Sequence, residues 1–263
     1  MGSSADLPGV ARLTPPLRAR WLAYASPARF APLARRLAPW FGAAALLCLL
    51  AGLYVGFAVA PTDAQQGEVY RILFIHVPAA WMSMFIYLVM AGYCALALVL
   101  RTRLSSMMAS ALAPTGALFT FIALWTGALW GQPTWGTWWV WDARLTSELI
   151  LLFLYLGFLA LENAIDDHRR AERACAVLAL VGVANIPIIY FSVQWWNTLH
   201  QGASIRLTTA PSMAAPMLAG VLLMTLACWM YTVAVALVRV RCILRERAEP
   251  VLAVISAMNR SRS

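Results

Sequence analysis

The chain has 263 residues, 62% of them hydrophobic and only 12% charged, which excludes an ordinary soluble domain, where roughly a quarter of residues are charged. Its net charge of +9 does not point to nucleic acid, because every basic residue is an arginine and the arginines flank apolar runs instead of lining one face. What remains is an all-α, polytopic integral membrane protein.

Residues 1–39 are polar and rich in Arg and Pro, which reads as a cytoplasmic tail with an interfacial stretch around Trp21, Tyr24 and Phe30. No apolar stretch with a small-residue cleavage site opens the sequence, so no signal peptide is expected. Six apolar runs follow, at 40–60, 77–100, 107–130, 146–163, 174–194 and 212–238. Most are about 20 residues long, the length that crosses a hydrocarbon core of about 30 Å. The fourth is shorter. Loops are expected at 61–76, 101–106, 131–145, 164–173 and 195–211. The chain thus reads as one six-helix membrane domain over 40–240 between two cytoplasmic tails, 1–39 and 241–263.

Orientation follows from arginine placement. With the N-terminus inside, the inner segments hold seventeen arginines, and the outer loops hold three: Arg71, Arg144 and Arg206. That asymmetry is the positive-inside pattern, and an even number of spans returns the C-terminus to the cytoplasm. Of five cysteines, four lie in or at the ends of apolar runs and Cys242 lies in the basic tail, so they read as small hydrophobes. No C-x-x-C-H occurs, which excludes covalent c-type haem attachment to this chain.

The outer loops carry the chemistry. Trp130, Trp135, Trp138, Trp139 and Trp141 fall within twelve residues, in WGQPTWGTWWVWDARLTSE, and Trp195 and Trp196 open the last outer loop. An interfacial belt normally places one or two tryptophans at a helix end. With Gly131, Pro133 and Gly136 expected to interrupt the helix so that the rings point several ways, this density reads better as an aromatic platform for a large planar ligand. His76 closes the first outer loop and His200 lies in the last, so two imidazoles flank the tryptophans on one membrane face. Neutral imidazole is a common axial ligand of haem iron. His168 sits in the inner, charged DDHRRAER and reads as solvated.

Arg71, Arg144 and Arg206 are by default snorkelling residues. As the only outer cations they are also the candidates to pair with carboxylates such as haem propionates. Asp142 and Arg144 either pair with each other or face the ligand, and the sequence leaves both open. Glu148, at the start of the fourth span, needs a partner.

WGTWWVWDARLTSELILLFLYLG resembles the tryptophan-rich WWD signature of the proteins that handle haem in cytochrome c maturation. The resemblance is closest to the haem exporter protein C family, also called cytochrome c maturation protein C. RILFIHVPAAW resembles its first histidine segment and NIPIIYFSVQWWNTLHQG its second, so the likeness runs from about residue 40 to about 240. It implies six spans and a haem b held outside, with His76 and His200 as axial ligands. Trp130, Trp135, Trp138, Trp139, Trp141 and Asp142 would present the haem. It also implies partners: a periplasmic haem chaperone, a small single-span membrane subunit, and the ATPase and permease subunits of an ABC transporter.

The expected function is haem delivery at the periplasmic face of the bacterial cytoplasmic membrane. Transfer proceeds by ligand exchange, and any ATP use belongs to a partner, because the chain has no nucleotide-binding motif. A quinone-linked cytochrome b would favour histidines deep in the spans at two depths, and none is expected within the spans here. A small-solute permease would favour mid-membrane charges. Passage of haem itself through the chain stays open.

Overall fold

The computed structural model describes residues 26–200 and 212–260. Trp21, Tyr24 and Arg206 therefore lie outside the described residues. Among the described residues the chain is all-helical, and six of its helices are long and apolar enough to cross a membrane.

Helix α1 (Pro27–Tyr54) ends in a π-helical turn, Val55–Val59. A 3-10 turn, Glu68–Ile72, runs straight into α2 (Leu73–Leu100). After α3 (Arg103–Trp135) come α4 (Ala143–Ala164), the broken pair α5 (His168–Gly182) and α6 (Asn185–Trp195), and the long α7 (Ala215–Arg260).

The spans extend beyond the apolar runs at most ends. The first begins at Arg29, ahead of residue 40, so Phe30 and part of the expected tail are helical. The second begins at Glu68, which places His76 in a helix instead of in a loop. The 3-10 turn and α2 share one helical path there, and hydropathy alone does not register a polar first turn.

Neither Gly131 nor Pro133 interrupts α3 as the sequence suggested; the helix continues through both to Trp135. Gly136 ends that helix. Its φ of 78° is left-handed, a conformation open to glycine at little cost, and its N–H donates to the Gln132 carbonyl at 2.9 Å. The fifth span breaks at Val183–Ala184, where both N–H groups reach back three residues. The buried Asn185 then donates to the Ser147 carbonyl at 2.8 Å, locking the break onto α4.

Arg71 closes the first connection. Its guanidinium pairs with Glu68 and donates to the carbonyls of Gly56, at 2.6 Å, and Ala60, at 3.3 Å, which the π turn leaves open. In the core, Tyr155 donates to the Ser83 carbonyl at 2.8 Å and meets Tyr87 edge-on at 5.1 Å. Gly116 makes room for it, since a Cβ there would stand 2.1 Å from the Tyr155 ring. The outward faces carry exposed Leu47, Phe121, Phe153 and Val181, apolar surface suited to lipid.

The turns between α2 and α3 and between α4 and α5 lie at the same end of the bundle, where Arg101 and, in the first turns of α3 and α5, Arg103, Arg169, Arg170 and Arg173 cluster. The tryptophan-rich segment lies at the other end.

Candidate functional site

At that other end, the first turns of α2, the last turns of α3, the start of α4 and the segment after α6 converge. His76 and His200 line one small cavity there, together with Gly127, Arg144 and Glu148. Distant stretches of sequence thus meet over the tryptophan segment.

His76 is oriented by α3. Its Nδ1 lies 3.1 Å from the hydroxyl of Thr126, and that hydroxyl donates its own proton to the Ile122 carbonyl at 2.6 Å. Thr126 is therefore the acceptor, Nδ1 carries the imidazole proton, and the Nε2 lone pair is left free for a metal. Trp130 packs edge-on against the imidazole at 5.7 Å and anchors its own indole N–H on Gln66 at 2.7 Å. Gly127 makes the approach possible: a Cβ there would sit 3.1 Å from His76 Cε1.

His200 is held by the connection itself. Its ring lies 5.0 Å from that of Trp135, and its main-chain N–H donates to the Thr198 hydroxyl at 3.1 Å. Thr198 in turn donates to Asp142. The Nδ1 of His200 is buried without a hydrogen-bond partner among the described residues, and Asp142 stands 3.8 Å away, beyond bonding distance. Burial pushes the His200 pKa down to about 4; the nearby Arg144 adds to this and Asp142 opposes it. The imidazole is thus neutral at pH 7, the form that binds a metal.

Asp142 has a second task. Its Oδ1 accepts from the Leu145 N–H at 2.8 Å and caps α4. Arg144 is turned away from it and donates to the Ile189 carbonyl on α6 at 2.9 Å. Of the two arrangements the sequence left open for Asp142 and Arg144, the ion pair is not formed. Glu148, buried on α4, finds its partner in Ser83, whose hydroxyl donates to it at 2.7 Å.

The tryptophans divide in two. Trp130 and Trp135 are helical and brace the histidines. Trp138, Trp141, Trp195 and Trp196 are exposed flat faces. Trp139 packs edge-on against Trp141 at 5.4 Å, and its buried indole N–H has no partner among the described residues. The structure brings His76, His200, Trp130, Trp135, Asp142 and Arg144 together. It commits the Arg71 guanidinium to the end of α1 instead.

Sequence reading missed Thr126, Gly127 and Thr198. A signal existed for the first two: Thr126 and Gly127 stand four and three residues before Trp130 in a helix and therefore share its face. Thr198 carried none, since its role depends on where the loop lies.

Two imidazoles with available lone pairs, flat apolar rings, one cation and two unsatisfied buried N-bearing groups suit a planar macrocycle that carries both a metal and carboxylates. A family model described as heme exporter protein C matches residues 20–254. A protein of Escherichia coli strain K12 named heme exporter protein C is 53% identical over 180 residues, covering 68% of this chain and 74% of that protein. One of the same name from Bradyrhizobium diazoefficiens is 51% identical over 224 residues, or 85% of each chain. Another, from Paracoccus denitrificans, is 41% identical over 225 residues, covering 85% of this chain and 93% of that protein.

Proposed function

The chain belongs to the haem exporter protein C family, and on that premise we propose that it binds haem b at its tryptophan-rich end and delivers it to a periplasmic haem chaperone for cytochrome c biogenesis. The observation that carries this reading is the convergence of His76 and His200 on one cavity from opposite ends of the sequence.

Haem is the cargo. His76 Nε2, already presented by the Thr126 hydrogen bond, takes one axial position, and His200 takes the other. The exposed tryptophans receive the macrocycle, and Arg144 is the cation nearest for a propionate. The Trp139 indole N–H, buried and unpartnered among the described residues, is a second donor.

The histidine cavity itself has room for about 30 Å³, the space of a water or two. Loading therefore requires the segment carrying His200 to lift. Among the described residues it is held by the Thr198–Asp142 hydrogen bond and the packing on Trp135. Release to the chaperone runs the same exchange in reverse, with an incoming ligand replacing one imidazole. No bond is made or broken by a catalytic side chain of this chain.

The arginine asymmetry supports placing the tryptophan end on the periplasmic face of the cytoplasmic membrane, with both termini inside. The proposed assembly includes a small single-span subunit and an ABC-type ATPase and permease, with membrane lipid around it and no nucleic acid. A transmembrane electron-transfer role fits less well. Although His76 lies within a span, it and His200 share one cavity at one depth.

The test is an absorption spectrum of the chain purified in detergent. A six-coordinate haem b spectrum is expected, and a chain that binds no haem would overturn the reading. A reporter fused at residue 138 is expected to face the periplasm.

A further inference from the structure

A cavity far larger than the one at the histidines lies elsewhere in the bundle. It lies at the opposite end of the bundle and encloses about 1180 Å³, more than the roughly 300–1,000 Å³ of a typical small-molecule site. The last turn of α2, the first turns of α3 and α5, the end of α4 and a stretch of α7 form its walls.

Its two zones differ sharply. The rim carries five arginines, Arg101, Arg103, Arg169, Arg173 and Arg247, against three carboxylates, Glu162, Glu172 and Glu246. Only Arg247 and Glu172 are paired with each other, at 2.7 Å, with Ser106 donating to the same carboxylate at 2.9 Å. Among the described residues the other four arginines have no ion-pair partner. The floor is apolar and buried, formed by Phe158, Met107 and Cys94.

An arginine rim above an apolar floor, open between membrane-spanning helices, matches a ligand with a planar or elongated apolar body and an anionic head. Guanidinium groups bind carboxylate and phosphate in a two-point fork, and basic pockets between spans select anionic headgroups. Solvated arginines of the positive-inside kind would need no chamber beneath them.

We propose that this chamber is a second ligand site, distinct from the histidine–tryptophan site, that binds an anionic amphiphile. Two sources share that chemistry: an anionic phospholipid, with a phosphate head, and a dicarboxylate porphyrin of the cargo class. Only the inner sidedness of the chamber rests on the orientation proposed above; the site itself does not.

The experiment uses the full chain carrying His76→Gly and His200→Gly, which removes iron ligation at the outer site and leaves only stacking on its tryptophan faces, a contribution that chamber variants do not alter. In one arm, native mass spectrometry compares retention of phosphatidylglycerol with phosphatidylcholine. In the other, metal-free protoporphyrin is titrated by fluorescence. Preferential retention of phosphatidylglycerol identifies a lipid source, and saturable porphyrin binding that Ala97→Trp abolishes identifies a macrocycle in the chamber, since binding on the tryptophan faces would survive that change.

In either case, replacing Arg101, Arg103, Arg169 and Arg173 together by Gln should weaken binding at least tenfold. Ala97→Trp, which fills the chamber while leaving every arginine in place, should do the same, and it decides the matter if the fourfold variant fails to fold. Equal retention of the two lipids with no saturable porphyrin binding would overturn the proposal. So would binding that Ala97→Trp leaves unchanged.

Discussion

The carboxylate of Asp142 caps α4 through the Leu145 N–H and stands 3.8 Å from Nδ1 of His200. One side chain therefore sets both the start of a membrane helix and the surroundings of a candidate ligand. Asp142→Asn keeps a competent cap but removes the negative charge beside the imidazole. The fold should survive, and haem affinity should drop through the lost charge beside the imidazole, by less than the roughly 10- to 100-fold that removal of a directly hydrogen-bonded carboxylate costs. Asp142→Ala should additionally lower stability by about 1 kcal/mol through the lost cap. Haem titration and thermal unfolding of both variants separate the two roles. Equal haem affinity in the Asp142→Asn variant and the wild-type chain would remove Asp142 from the site.

The histidines test the mechanism most directly. His76→Gly or His200→Gly should each leave some haem on the tryptophan faces, but bound more weakly and with one axial position open. Added imidazole should partly restore the six-coordinate spectrum in each. His168→Gly should change nothing, since His168 begins α5 at the far end of the bundle. Unaltered haem content and spectrum in both outer variants would rule out the axial assignment.

Gly127 offers a test by geometry alone. A Cβ there would meet His76 Cε1 at 3.1 Å, so alanine asks the imidazole to shift by a few tenths of an ångström and valine by more. Gly127→Ala should perturb the haem spectrum mildly. Gly127→Val should lower haem content severalfold at near-normal protein abundance. If the valine variant binds haem like wild type, the pose of His76 is not the one that matters.

Trp138 and Trp139 separate a platform from an interfacial belt. Replacing both by Ala should reduce haem transfer to the chaperone more than it reduces protein level. Loss of abundance with transfer per molecule intact would identify a belt instead. Trp139→Phe isolates the indole N–H, which is buried and unpartnered among the described residues, and should weaken haem retention by a smaller factor.

Stability should also depend on pH through His200. Burial lowers its pKa from 6.5 to about 4, so on acidification the unfolded chain takes up this proton first. Between those values the residue contributes a stability loss of about 1.4 kcal/mol per pH unit. Thermal unfolding at pH 7, 6 and 5 should show a shallower decline for His200→Gln, and parallel declines would contradict the buried neutral imidazole.

Sequence alone was sufficient for the membrane class, the six spans and the clustering of arginines at alternate connections. These depend on local composition: a run of about 20 apolar residues has to span, whatever its neighbours are. The tryptophan motif and the two histidine segments were equally legible, because they are contiguous strings. The helical placement of His76 and the continuation of α3 through Pro133 to Gly136 were not, since hydropathy ends where the first polar turn begins, while the helix does not. Tertiary structure alone decided that Thr126 orients His76, that Arg144 serves the Ile189 carbonyl instead of Asp142, and that Arg71 belongs to the end of α1. Each is a contact between residues many positions apart, and it is set by how the helices pack. No local pattern encodes which carbonyl a long guanidinium will reach once the spans have come together.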